Sequence, residues 1–69
     1  MKNRLEEIRK SRGIRQEELA RALEVSRQTI SLIERGDYNP SVTLALKIAK
    51  ILNATVEDLF SYLEENQEQ

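Results

Sequence analysis

Residues 25–36 read VSRQTISLIERG. Ser26, Arg27, Gln28 and Thr29 place four hydrogen-bonding side chains in succession, and behind them Ile30 and Ile33 have the spacing of a buried helical stripe. At about 100° per residue, Gln28 and Arg35 point almost directly away from that stripe, Ser31 and Leu32 flank them, and Arg27 lies at the exposed N-terminal end. An outer face of Gln, Ser, Leu and Arg suits the edges of base pairs. Gln can pair bidentately with adenine, Arg with guanine, and an apolar side chain such as Leu32 can cover a thymine methyl. A helix N-terminus also favours nearby phosphate. Taken alone, the same residues fit an ordinary capped, solvated helix start better than a DNA-reading one.

The chain ahead of it narrows the choice. Gln16 to Leu23 reads as a helix, with Glu17 and Glu18 well placed in its first turn and Leu19, Ala20 and Leu23 as its apolar stripe. The short link Leu23-Glu24-Val25-Ser26 joins it to the helix that Ser26 caps and Gly36 ends. Two short helices with such a turn form the helix-turn-helix layout, whose second helix enters the major groove of DNA. Three further helices are predicted around this pair. Asn3 followed by Glu6 resembles a capping box ahead of Leu5 and Ile8, with Gly13 as the stop. After the turn-forming DYNPS, Ser41 caps a helix carrying Ala45, Ile48, Ala49 and Leu52, which Asn53 ends. Thr55 and Asp58 mark a last short helix with Val56, Leu59 and Phe60. The expected fold is all-α, with five helices and no strand. One domain spans 1–63, and an acidic, frayed tail follows at 64–69.

Composition excludes several functions. The 69 residues include no Cys and no His, which removes disulfides, Cys-based zinc sites and the commonest general base near neutral pH. No Gly-rich phosphate loop and no paired-carboxylate motif is present, so an enzyme, a cofactor and a metal are not expected. No apolar run approaches the ~18 residues of a membrane span, and Met1 leads directly into charged residues, so a cytoplasmic protein is expected. The net charge of −1 conceals an asymmetry. All eleven Lys and Arg lie within residues 1–50 with seven acids, net +4, whereas residues 51–69 hold five acids and no base, net −5. A basic body with an acidic end can steer DNA toward one face.

The stretches LEEIRKSRGIRQEELARAL, VSRQTISLIERGDYNPS and LKIAKILNATVEDLF together resemble the Cro/C1-type (XRE) helix-turn-helix family over about residues 3–60, in particular its short stand-alone repressors. The resemblance implies a compact five-helix, lambda-repressor-like DNA-binding domain, usually dimeric on operator DNA. By position it implies base contacts from Arg27, Gln28, Ser31 and Leu32, with Thr29 near the groove entrance or packed inward. Gln16 matches the glutamine that holds a phosphate at the start of the second helix, and Asn39 matches a backbone-contacting loop position. Arg15 and Arg35 are further phosphate candidates. Arg9 and Glu34 match a partly buried structural ion pair. Two departures stand out. Glu24 occupies a turn position where the family often has Gly, and an αL residue other than Gly costs about 1–2 kcal/mol. Arg15 stands where the family favours Ser or Thr as a cap, and it cannot accept the cap hydrogen bonds, a loss of ~1 kcal/mol.

A homodimer interface has candidates as well. Leu44 and Ile51 share a face of the fourth helix away from its main stripe, and Phe60, Tyr62 and Leu63 add apolar surface near the C-terminus. The same residues would equally complete a small core; resemblance to dimeric relatives favours the homodimer. Three alternatives remain: an antitoxin, a restriction–modification controller working with an unknown protein partner, or a helical adaptor that binds no DNA.

Overall fold

The computed structural model describes residues 3–60, which form five helices: α1 (Leu5–Ser11), α2 (Gln16–Leu23), α3 (Arg27–Glu34), α4 (Val42–Leu52) and α5 (Val56–Leu59). No strand occurs among the described residues. Each helix is too short to persist alone, so burial of the stripes supplies the stability. Leu5, Leu19, Ile30, Ile33, Ile48 and Leu52 are sealed from solvent in one core. α2 packs chiefly on α3, and α4 closes over α2 and α5.

The helix starts follow from acceptor side chains. The Thr29 N–H donates to Ser26 Oγ at 3.0 Å, the Leu44 N–H to Ser41 Oγ at 3.1 Å and the Asp58 N–H to Thr55 Oγ1 at 3.0 Å. α2 lacks such a cap. Arg15 makes no side-chain cap bond, and its own N–H instead donates to Glu18 Oε1 at 2.9 Å. α1 departs from expectation: its cap position is Arg4, without a side-chain cap bond. Asn3 Oδ1 does accept the Leu5 N–H at 3.0 Å, but Asn3 Nδ2 donates to the Ile33 carbonyl at 2.7 Å. Asn3 thus joins the far end of α3 to the first turn of α1.

Four helix ends share one device. Gly13, Glu24, Gly36 and Asn53 all have positive φ, and after each the next N–H reaches back to a carbonyl in the last helical turn. Glu24 is the costly member, at φ 60 and ψ 39. The turn therefore keeps the shape that Gly would give, at the expense of backbone strain. Glu24→Gly is expected to stabilise the domain by about 1 kcal/mol, seen as a higher urea midpoint. An unchanged midpoint would mean that the Glu24 side chain offsets its own strain.

Long-range polar bonds tie the helices together. Arg12 Nε donates to the Leu52 carbonyl at 2.7 Å, placing a cation at the C-terminus of α4, where the helix dipole favours it. The Arg4 N–H donates to the Leu59 carbonyl at 3.1 Å, joining the start of α1 to the end of α5. These bonds fix the scaffold from which α3 projects.

Candidate nucleic-acid interface

Two faces of α3 differ in kind. Ile30 and Ile33 are fully buried, Gln28, Arg27 and Arg35 are exposed, and Thr29, Ser31 and Leu32 are half-buried. The helical-wheel reading is therefore realised in three dimensions. Thr29 is partly committed: its hydroxyl lies 2.9 Å from Ser26 Oγ, so the cap occupies it. Arg35 pairs with Asp37 at 3.5 Å, both largely solvated, a contact of small energetic weight. Asn39 is exposed in the loop between α3 and α4, next to the buried Pro40.

Beside the front of α3 the surface opens into a polar cleft of about 390 Å³, lined by Glu6, Arg9, Arg15, Gln16, Glu17 and Arg27. The N-terminus of α2 borders it. Because Arg15 offers no acceptor, no side chain caps the first-turn amides there. Arg15 and Arg27 are exposed at its rim. Two acids also line the cleft; of these, Glu6 is paired with Lys10 at 3.1 Å. Just ahead of α1, the Arg4 guanidinium donates to the Glu7 carboxylate at 3.3 Å, a bond that raises the Arg4 pKa.

Beneath the cleft lies a buried ion pair. Arg9 Nε donates to Glu34 Oε2 at 2.6 Å, with the side chains only 8% and 4% exposed. Arg9 Nη1 also donates to the Ile14 carbonyl at 2.7 Å, and Gln16 Nε2 donates to Glu34 Oε1 at 2.9 Å. One carboxylate on α3 thus gathers α1 through Arg9 and α2 through Gln16.

This arrangement of a short helix, a tight αL turn and a second helix with one buried and one polar face is that of a known family. The family described as Helix-turn-helix (HTH_3) matches residues 5–59. The chain belongs to it. A helix-turn-helix transcriptional regulator of Archaeoglobus fulgidus, itself uncharacterised, is 49% identical over 65 residues, covering 94% of this chain and 93% of the relative. The uncharacterised regulator YgzD of Bacillus subtilis is 48% identical over 66 residues, 96% of this chain and all of the relative. Among solved structures, the restriction–modification controller protein C.AhdI of Aeromonas hydrophila superposes with a TM-score of 0.75 at 37% identity, covering 83% of this chain and 86% of that one. The helix-turn-helix family is one of DNA-binding transcriptional regulators, and this chain has its all-α fold.

The remaining expected residues fall in different places. Leu44 is half-buried against the core. Ile51 is 38% exposed and lines an apolar recess of about 230 Å³ with Leu23, Ala22, Glu24, Lys47 and Lys50. Phe60 is 0% exposed, so it fills the core of its own chain and offers a partner no surface in this form. Tyr62 and Leu63, with the tail, lie outside the described residues. Sequence reasoning passed over Val42 and Leu46, each 56% exposed, and Tyr38, 48% exposed. The i, i+4 spacing of Val42 and Leu46 on a helix face other than the core stripe was the available signal. It also missed the Gln16–Glu34 bond, for which no local signal exists. No described helix is long and apolar enough to cross a membrane.

Proposed function

We propose that this chain is a sequence-specific repressor that binds a palindromic operator as a homodimer, with α3 in the major groove. The observation that carries the reading is the exposed Arg27–Gln28 front of α3 standing beside the Arg15–Gln16–Arg27 cleft. Base-reading side chains and phosphate-binding groups therefore share one face. On this reading Gln28, Ser31 and Leu32 meet base edges, with the Thr29 methyl alongside them. Arg15, Gln16 and Asn39 hold phosphates, with Arg35 more weakly engaged because Asp37 competes for it. Arg27 lies where it can serve either role. Glu57 and Asp58, exposed on α5, would face away from the duplex. A two-fold axis through the Leu44–Ile51 side of α4, with Tyr62 and Leu63, would set the two recognition helices about 34–36 Å apart.

The deciding experiment is a salt titration of binding to the chain's own upstream promoter DNA and to scrambled DNA, read by fluorescence anisotropy. A preference of ~10³ or more for the promoter at physiological salt supports the reading. Weak and equal binding to both sinks it. Single variants then separate the roles. Gln28→Ala is expected to cost ~1–3 kcal/mol on the operator and to relax preference at one base pair. Gln16→Ala is expected to weaken all duplexes alike. Equal loss on operator and scrambled DNA for Gln28→Ala would contradict its groove role. Arg15→Ser should restore the missing cap, worth ~1 kcal/mol of stability, while flattening the salt dependence of DNA binding. An unchanged salt slope would remove Arg15 from the phosphate set.

A second reading is favoured by the superposition on C.AhdI: a controller of a restriction–modification pair. The genes next to this one discriminate it, since that reading requires a nuclease and a methyltransferase nearby.

A further inference from the structure

The Gln16 side chain lies between two different neighbours. On one side its Nε2 donates to Glu34 Oε1 at 2.9 Å, and on the other it lines the polar cleft. A primary amide is ambiguous in shape: turning it by half a revolution exchanges a donor for an acceptor with almost no change in volume. Toward a phosphate the two orientations are opposite in sign, because the N–H attracts the anion and the carbonyl oxygen repels it. Glu34 removes the ambiguity, since an ionised carboxylate only accepts. It holds Nε2, and so one N–H of the amide is committed and the second remains on the same nitrogen.

We propose that Glu34 is a positioning residue for DNA binding: by accepting from Gln16 it fixes the polarity of that amide, so that Gln16 presents its remaining N–H, not its carbonyl, to a backbone phosphate. This rests on the reading that Gln16 meets phosphate. Arg9 makes the device workable. A lone carboxylate beneath an anion site would repel the ligand, but Arg9 Nε at 2.6 Å and Arg9 Nη2 at 3.4 Å neutralise it. The hydrogen bond to a charged acceptor also polarises the amide and makes its second N–H a better donor. The ion pair thus has a role in recognition beyond joining α1 to α3.

The test removes the pair without changing net charge. Arg9→Met with Glu34→Met is made with Gln16 and with Gln16→Ala, and binding of a random-sequence DNA duplex is measured at low salt, folding of each variant being checked by circular dichroism. Gln16→Ala alone is expected to weaken binding by roughly 3- to 10-fold, the worth of about one hydrogen bond. The pair replacement should weaken binding by a similar factor when Gln16 is present, and by distinctly less when residue 16 is already Ala. If Gln16→Ala changes nothing, the phosphate reading of Gln16 fails, and the proposal with it. If Gln16→Ala weakens binding but the pair replacement acts equally in both backgrounds, the phosphate reading stands and the positioning role is overturned. A second measurement needs no variant of the pair. In the ¹⁵N–¹H spectrum of the unaltered protein, one Gln16 side-chain proton should be shifted before DNA is added and the other should move on titration with the same duplex. Movement of neither, or an amide that rotates freely in the complex, would overturn the proposal even if the replaced pair fails to fold.

Discussion

Phe60→Ala is expected to destabilise the domain by about 3–5 kcal/mol, the usual result of emptying a buried aromatic site. Phe60 is 0% exposed and sits one residue past α5, where its ring closes the core that Leu5, Ile48 and Leu59 also line. Small domains lie near the bottom of the ~5–15 kcal/mol stability range, so this single change should leave much of the population unfolded at 37 °C. The measurement is thermal and urea unfolding followed by circular dichroism at several protein concentrations. A core residue predicts a loss of stability that is the same at every concentration. An interface residue predicts a folded but dissociated chain, with the loss recovered as concentration rises. Ile51→Ala is the comparison, because Ile51 is 38% exposed and should leave the single chain folded.

Phe60 also shows what the sequence can and cannot convey. Helix ends were legible because their chemistry is local. Ser26, Ser41 and Thr55 each carry an acceptor three residues ahead of the amide they receive, and Gly13, Gly36 and Asn53 tolerate positive φ. The buried and polar sides of α3 were legible because helical periodicity orients residues without knowledge of the partner. Phe60 follows a helix of only four residues, which gives no periodicity to separate core from interface. The role of Asn3 at the start of α1 is legible, since its Oδ1 accepts the Leu5 N–H, but its bond to the Ile33 carbonyl is not, because that partner is 30 residues away. Arg12 reads as one more surface base, yet it closes α4 across 40 residues. The turn at Glu24 lies between these cases. Its strain was foreseeable from residue type, whereas its retention of the αL shape depends on how α2 and α3 pack.

Arg9→Met is the companion case, in which charge rather than volume sets the size of the effect. Removing Arg9 leaves the Glu34 carboxylate without its cation in a site where its side chain is 4% exposed, with the Gln16 amide still donating to it. Stranding one member of a buried pair is strongly destabilising, by about 3–5 kcal/mol, whereas replacing both members with apolar residues of similar size is often neutral or stabilising. The expected order of urea midpoints is therefore the unaltered protein near Arg9→Met/Glu34→Met, and Arg9→Met alone well below both. If the double variant is no more stable than the single one, the loss lies elsewhere. The Arg9 bond to the Ile14 carbonyl at 2.7 Å, which ties off the end of α1, is then its source. If the order holds, the domain does not need this ion pair to fold. What maintains a charged pair in so small a core must then be sought in what Glu34 does at the cleft, where it holds the amide of Gln16.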